Sequence, residues 1–141
     1  MEGYGARVMR CVSVGPPPAV LTRAAETLAA LQDRQIAAIR PGAVAGDVDA
    51  ILRDGILAAG LRDSFDNITG YTLGFYSHAT PHTSDFTRIF HPGATWKIEA
   101  GMVFHMYVSA AGASFSETVL VTGTGAERLT RTPRELIVNL H

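Results

Sequence analysis

The apolar positions in the first half of the chain recur at the spacing of an α-helix. Leu21, Leu28 and Leu31 lie on one face of a helix predicted over residues 19–39, which ends before a Pro-Gly pair. A second amphipathic helix is predicted over residues 47–59, and a glycine directly follows it. These two segments carry the clearest periodicity in the sequence.

Beyond Gly60 the helical period disappears, and short apolar runs alternate with Gly, Pro, Ser and Asp clusters, as is typical of strands. The runs at residues 102–108 and 115–122 predict an antiparallel hairpin joined by residues 109–114. No repeat or interdomain linker is visible, so we expect a single α+β domain over residues 1–141, with two helices on one face of a mainly antiparallel sheet. Further strands are predicted at residues 7–14, 95–98, 127–129 and 134–138.

The composition is that of a folded domain without a nucleic-acid partner. The 141 residues are 47% hydrophobic and 18% charged, and the formal net charge of −1 offers no basic surface for phosphates. The single cysteine, Cys11, requires no oxidising compartment. No apolar stretch approaches the ~20 residues that span a bilayer, and the first residues lack a signal-peptide pattern. We therefore expect a cytoplasmic protein that binds neither nucleic acid nor membrane.

Alternation along the predicted hairpin determines which polar side chains meet. His105 and Tyr107 share one face of the first strand, and Glu117 lies among apolar residues of the second. A carboxylate in such a place is costly to bury without a partner. Glu117 therefore lies either near an exposed strand start or in a polar site with groups such as His105 and Tyr107. The sequence leaves both alternatives open.

The segment 75–90 is predicted to be a loop and carries His78, His82 and Asp85, residue types that bind metal ions or move protons. These three residues lie among Ser, Thr and Pro, and no regular secondary structure fixes their geometry. The sequence therefore favours solvated side chains over a metal site, with weak zinc binding as the alternative.

Several strings, in order and at matching spacing, resemble the creatinase/aminopeptidase superfamily of the pita-bread fold, which includes methionine aminopeptidase, aminopeptidase P and prolidase. The resemblance covers almost the whole chain and corresponds to the C-terminal part of that domain. It implies a curved, mainly antiparallel sheet covered by two helices, with the first strands of the domain expected upstream of Met1. The strings are residues 4–15 (YGARVMRCVSVG), 70–74 (GYTLG), 101–104 (GMVF), 117–122 (ETVLVT) and 133–136 (PREL).

The resemblance also identifies where the family places its metal ligands. Members hold two metal ions with two Asp, one His and two Glu, because divalent ions need several anionic oxygens. The first of the five positions is expected before the start of the chain. Glu117 follows the last position by one residue, and such a shift turns a strand side chain to the opposite face. The resemblance thus implies that the dinuclear site is not retained, and we expect no metal ion and no other cofactor. The other four positions carry Arg7, Tyr71, Tyr107 and Ser116.

The Gly-Tyr-x-x-Gly and Gly-Met-Val-Phe-His strings look like the ectoine hydrolase-like branch, and the chain is also similar to Xaa-Pro dipeptidase-like members. The resemblance implies hydrolysis of a C–N bond in a small-molecule or dipeptide-like substrate. We expect His105 to act as general acid or base, with Tyr71 and Glu117 as orienting or polarising groups. The expected substrate-binding residues are Tyr107, His78 and His82.

Two other functions remain open on the sequence alone. The chain is alternatively a truncated or degenerate homologue that only associates with itself, as a homodimer, or with a full-length relative through exposed sheet edges. A ligand-binding module without turnover is the third interpretation. The enzymatic interpretation requires that His105, Tyr71 and Glu117 open onto a common pocket.

Overall fold

The chain folds as two helices and a sheet, in a computed structural model that describes residues 3–75 and 87–140. The helices are α1 (Ala19–Ala38) and α2 (Ala45–Ala58), and the strands are β1 (Val12–Val14), β2 (Gly70–Leu73), β3 (Ile89–Phe90), β4 (Val103–Ala110), β5 (Ala113–Val121), β6 (Ala126–Arg128) and β7 (Ile137–Asn139). Five strands form an antiparallel sheet in the order β3-β2-β4-β5-β6, and β1 pairs in parallel with β7. The α+β class expected from the sequence is confirmed.

Both helices pack against the same face of the sheet, as their apolar periodicity predicts. Leu28 and Ile56 are fully buried in a cluster with Phe115 of β5, and Ile39 lies in a second cluster with Phe104 of β4. Burying each such side chain contributes about 1.5–3 kcal/mol relative to leaving it in water. Neither helix combines the length and hydropathy needed to cross a membrane, within the ranges that the structure describes.

The prediction of a strand at residues 95–98 is wrong, and α2 begins at Ala45 instead of the predicted residue 47. The carbonyl groups of Ala94 and Trp96 accept hydrogen bonds from the N–H groups of Gly46 and Ala45, at 2.9 and 3.1 Å. Segment 94–96 therefore satisfies the free N–H groups at the start of α2 instead of joining the sheet. Gly46 is required there, because a Cβ atom would lie 2.8 Å from the Ala94 carbonyl oxygen.

The hairpin of β4 and β5 is confirmed, but its connection is tighter than the six residues predicted. The ladder extends to the Ala110–Ala113 pair, which leaves only Ala111 and Gly112 in the turn. Both have positive φ angles, 49° and 82°, as a two-residue turn that matches the twist of the strands requires. The small side chains of Ser109 and Ser114 fit the extended ladder, with their hydroxyl groups 2.8 Å apart.

The remaining strands differ from the predictions in length and number. β1 covers only the end of the predicted strand 7–14, although Met9 still bridges to Ser116 at the edge of β5. The last two predicted strands are present, each shifted along the chain, as β6 and β7. Strands β2 and β3 were not predicted, because their short runs at residues 70–73 and 89–90 carry no alternation long enough to recognise.

Candidate functional site

A row of side chains crosses the face of the sheet that is turned away from the helices. Tyr71 of β2 lies opposite His105 of β4, which lies opposite Thr118 of β5, and directly opposed residues share a face. Arg7 extends this row beyond β5. Its N–H donates to Thr118 Oγ1 at 2.9 Å, and the same hydroxyl donates to the Arg7 carbonyl at 2.7 Å. The Thr118 side chain thus fixes the backbone that carries Arg7.

Arg7, Tyr71, His105 and Tyr107 form one connected group, which we call the Arg7–His105 cluster. Arg7 Nη1 donates to Tyr71 Oη at 2.7 Å. The Tyr71 ring meets the His105 ring edge-on at 4.9 Å between centroids, and the His105 and Tyr107 rings stack at 5.4 Å. Tyr107 lies two positions along β4, on the same face. The structure therefore brings three of the expected site residues together around Arg7.

The His105 imidazole is buried and has no hydrogen-bond partner within the described part of the chain. The residue is 7% exposed, and neither Nδ1 nor Nε2 has a partner among residues 3–75 and 87–140. Desolvation by burial, and then the nearby Arg7 charge, lower the pKa of His105 from 6.5 to about 4. Burial likewise raises the pKa of Tyr107, with a further contribution from Tyr71. His105 is therefore neutral near pH 7, with one nitrogen able to accept a proton.

We expect the free energy of unfolding to decrease as the pH is lowered from 6.5 to about 4, because of His105. In this window the unfolded chain binds a proton on His105 and the folded chain does not, so acid favours unfolding. The loss reaches about 3 kcal/mol below the folded pKa. Urea denaturation across this range should show a shallower pH dependence in His105→Phe and an unchanged one in His91→Gln. An identical pH dependence in His105→Phe and the wild type would contradict this assignment.

Glu117 lies on the opposite face from His105, because it is paired with Met106 and points towards the helices. It is fully buried in a group that we call the Glu117–arginine cluster. Oε1 lies 2.9 Å from Arg10 Nη2 and 3.3 Å from both Arg128 Nη1 and Arg134 Nε, and Oε2 accepts a hydrogen bond from the Thr130 hydroxyl. This arrangement is neither of the two alternatives left open by the sequence.

The expectation that Glu117 orients a substrate beside His105 is thereby corrected. The three arginines were missed because two of them, Arg128 and Arg134, follow the hairpin and fold back onto it, while Arg10 comes from the far end of the chain. The signal that could have identified them is the carboxylate itself, since a Glu on an apolar strand face requires buried cations. His78, His82 and Asp85 lie outside the described residues.

The chemistry of the donors on this face does not fit a divalent metal ion. The four residues that the resemblance assigns to the family's ligand positions share the face, but they provide one guanidinium and three neutral hydroxyl groups. They are Arg7, Tyr71, Tyr107 and Ser116. The described residues contain no group of three or more His, Cys, Asp or Glu that could hold a metal. A cation at this place would be repelled by Arg7 and would find no carboxylate among these four side chains.

A cavity of about 700 Å³ adjoins the Arg7–His105 cluster. Leu73 and Val103 in its wall lie two positions along their strands from Tyr71 and His105, and Thr118 belongs to both the wall and the row. None of Tyr71, His105 and Glu117 is among the described residues that line it. The requirement set for the enzymatic interpretation, one pocket shared by Tyr71, His105 and Glu117, is therefore not met by the described residues. The cavity lies beside the cluster, and support for hydrolysis has to come from the His105 imidazole and from the relatives of the chain.

Comparison with known proteins places this geometry in a family. The model of metallopeptidase family M24 matches residues 1–123. The probable dipeptidase PepE of Mycobacterium tuberculosis is 34% identical over 137 residues, and the Xaa-Pro dipeptidase of Pyrococcus furiosus is 31% identical over 135 residues. These alignments cover 96% and 95% of this chain but only 36% and 38% of the two relatives.

The crystal structure of dipeptidase PepE from Mycobacterium ulcerans superposes with a TM-score of 0.82 at 30% identity, over 96% of this chain and 36% of that one. The fold is thus the C-terminal part of a pita-bread domain, as the sequence resemblance implied. The matching residues of this chain include the strands that carry Tyr71, His105 and Ser116. On the extent of the family match and the shared fold, the chain belongs to metallopeptidase family M24.

Proposed function

We propose that this chain provides the hydrolytic centre for cleavage of a C–N bond in a small peptide-like, amide or amidine substrate. Because the chain spans little more than a third of the relatives it matches, the activity is proposed rather than carried over from them. Relatives named as dipeptidases support a peptide-like substrate. The observation that carries the proposal is His105, a neutral buried imidazole with both nitrogens unpartnered among the described residues, beside Arg7 and Tyr71.

The proposed reaction uses His105 as a general base and then as an acid. One imidazole nitrogen takes a proton from a water molecule as the water oxygen attacks the carbonyl or amidine carbon. The C–N bond then breaks, and the protonated imidazole returns that proton to the leaving nitrogen. Tyr71, held by the Arg7 guanidinium, orients the substrate and polarises its C=O or C=N group, and Tyr107 packs beside the His105 ring. Glu117 has no step here, because it belongs to the opposite face.

We also propose that the reaction proceeds without a bound divalent metal. The support is electrostatic, since Arg7 places a positive charge at the centre of the face and donates a hydrogen bond to Tyr71. Desolvating a divalent ion beside that charge would not be compensated, because Glu117 is already engaged by Arg10, Arg128 and Arg134.

The test combines metal analysis with an activity assay. The protein is dialysed against manganese, cobalt, zinc or iron, and its metal content and melting temperature are measured. A panel of dipeptides and cyclic amidines is then assayed with and without EDTA. We expect less than one equivalent of each metal, no metal-dependent rise in melting temperature, and hydrolysis that EDTA does not reduce.

One tightly held equivalent that raises the melting temperature would contradict metal independence and restore a metallohydrolase. Absence of hydrolysis over the whole panel would contradict the enzymatic proposal. Association would then be the leading candidate, through the apolar side chains that β1 and the C-terminal segment expose, such as Val14 at 84% and Leu140 at 68%.

A further inference from the structure

The face that carries the Arg7–His105 cluster bears the positive charge of the Arg7 guanidinium. Arg7 is exposed, and its guanidinium lies close enough to His105 to contribute to the lowered pKa of that ring. Glu117, a carboxylate of the neighbouring strand, points to the opposite face and is surrounded by arginines. A positive charge at this place therefore has no counter-charge from the strand beside it.

The same face holds buried polar atoms that have no hydrogen-bond partner among the described residues. The Ser116 hydroxyl is fully buried and unpaired, as are both nitrogens of His105, within the part of the chain that the structure describes. Ser116 lies opposite Tyr107, so all these groups share one face. Leaving such a group unsatisfied is destabilising, because its lost hydration is not replaced. The Ser116 O–H and one N–H of the neutral imidazole are hydrogen-bond donors, which a bound acceptor would satisfy.

A largely apolar cavity lies next to this face. Ala6, next to Arg7, lines the cavity of about 700 Å³, together with apolar side chains of Leu73, Met102, Val103 and Leu129. Arg88 also lines it, and its guanidinium carbon lies 5.7 Å from the centroid of the Trp96 ring. This volume lies in the range of small-molecule sites, about 300–1,000 Å³. The arrangement thus combines a cationic, donor-rich end with an apolar end, as an amphipathic acid requires.

We propose that the Arg7–His105 cluster binds the carboxylate of a small organic acid whose apolar body occupies the adjoining cavity. Arg7 supplies the charge, and Ser116 is a neutral donor on the same face. The inference rests on the proposed function only in identifying this acid as the substrate. The carboxylate then anchors the molecule at Arg7 and leaves the imidazole of His105 beside its C–N bond.

Calorimetric titration of the full chain near neutral pH tests the binding with three probes. Hexanoate has both charge and apolar body, hexanamide has the body alone, and acetate has the charge alone. We expect hexanoate to bind at least about tenfold more tightly than either of the others. Arg7→Gln should abolish the preference for hexanoate over hexanamide, and Arg7→Lys should retain part of it. The matched control is Arg23→Gln, an exposed arginine of α1, which should leave all three affinities unchanged.

Equal binding of hexanoate and hexanamide to the wild type would overturn the proposal, as would an equal effect of Arg7→Gln and Arg23→Gln. Undetectable binding of hexanoate would overturn it too. Circular dichroism of each variant distinguishes lost binding from lost folding. If Arg7→Gln misfolds, the comparison of the three probes on the wild-type protein still decides the test. The titration measures binding alone, and hydrolysis is measured in the separate activity assay. Selective binding of hexanoate without hydrolysis would contradict only the proposed function. Hydrolysis with equal binding of hexanoate and hexanamide would contradict only this inference.

Discussion

Replacing Glu117 with Gln is expected to lower the free energy of unfolding by about 3–5 kcal/mol, the usual cost of removing one partner from a buried ion pair. The Arg10 and Arg134 side chains beside it are only 9% and 6% exposed, and Glu117 itself is fully buried. The neutral amide would leave the Arg10 guanidinium without a carboxylate among its described contacts. Arg134 would keep Asp33 as its one described carboxylate partner, besides neutral oxygens of Ala29 and Gln32. Water could not replace the lost charge at such depth.

Equilibrium urea denaturation measures this effect. The matched control is Glu127→Gln, a neighbouring carboxylate that is exposed on β6, which should change stability by less than about 0.5 kcal/mol. Hydrogen exchange of Glu117→Gln should also be faster in segment 130–134, because Thr130 and Arg134 bind the carboxylate from that segment. A loss of stability no larger than that of Glu127→Gln would show that the Glu117–arginine cluster is not an important source of stability.

The fold was predictable where a periodic pattern extends over many residues. Both helices were found because their apolar spacing persists for several turns and ends at glycine or proline. Strands of two to four residues, such as β2 and β3, carry no such signal, and their place in the sheet depends on pairing with distant residues. The strand prediction at residues 95–98 is wrong for a related reason, since whether this segment pairs with a strand or with the start of α2 depends on tertiary packing.

The sequence predicts which side chains of the hairpin share a face of the sheet, but not which side chains from elsewhere in the chain contact them. Alternation correctly separates Glu117 from the ligand position at Ser116, because one residue along a strand reverses the side chain. Alternation does not predict which distant side chains pack on each face. Arg10 lies 107 residues from Glu117 in sequence, and Arg7 lies 64 residues from Tyr71. These contacts arise when the N-terminal segment folds along the edge of β5, which no local pattern encodes.

His105→Phe is expected to reduce the rate of C–N hydrolysis by about 10²–10⁴-fold while leaving the fold intact, since general acid–base groups contribute on that scale. The phenyl ring can keep the packing against Tyr71 and Tyr107, and it removes two buried nitrogens that have no described partner. The melting temperature should therefore be equal or higher at neutral pH. A purely structural role for His105 predicts the reverse, with lost stability and a rate that falls only in proportion to the folded fraction.

The pH profile and chemical rescue distinguish a proton-transfer role from a packing role. With its pKa near 4, His105 is already in the basic form above that pH, so kcat/KM should rise through about pH 4 and level off. In His105→Ala, added imidazole should restore part of the rate, because it can enter the space left by the ring and accept the same proton. His91→Gln is the control, and it should show the wild-type rate and no response to imidazole. Wild-type turnover in His105→Phe would show that the proton is transferred by another group, and the assignment of His105 as the base would then be wrong.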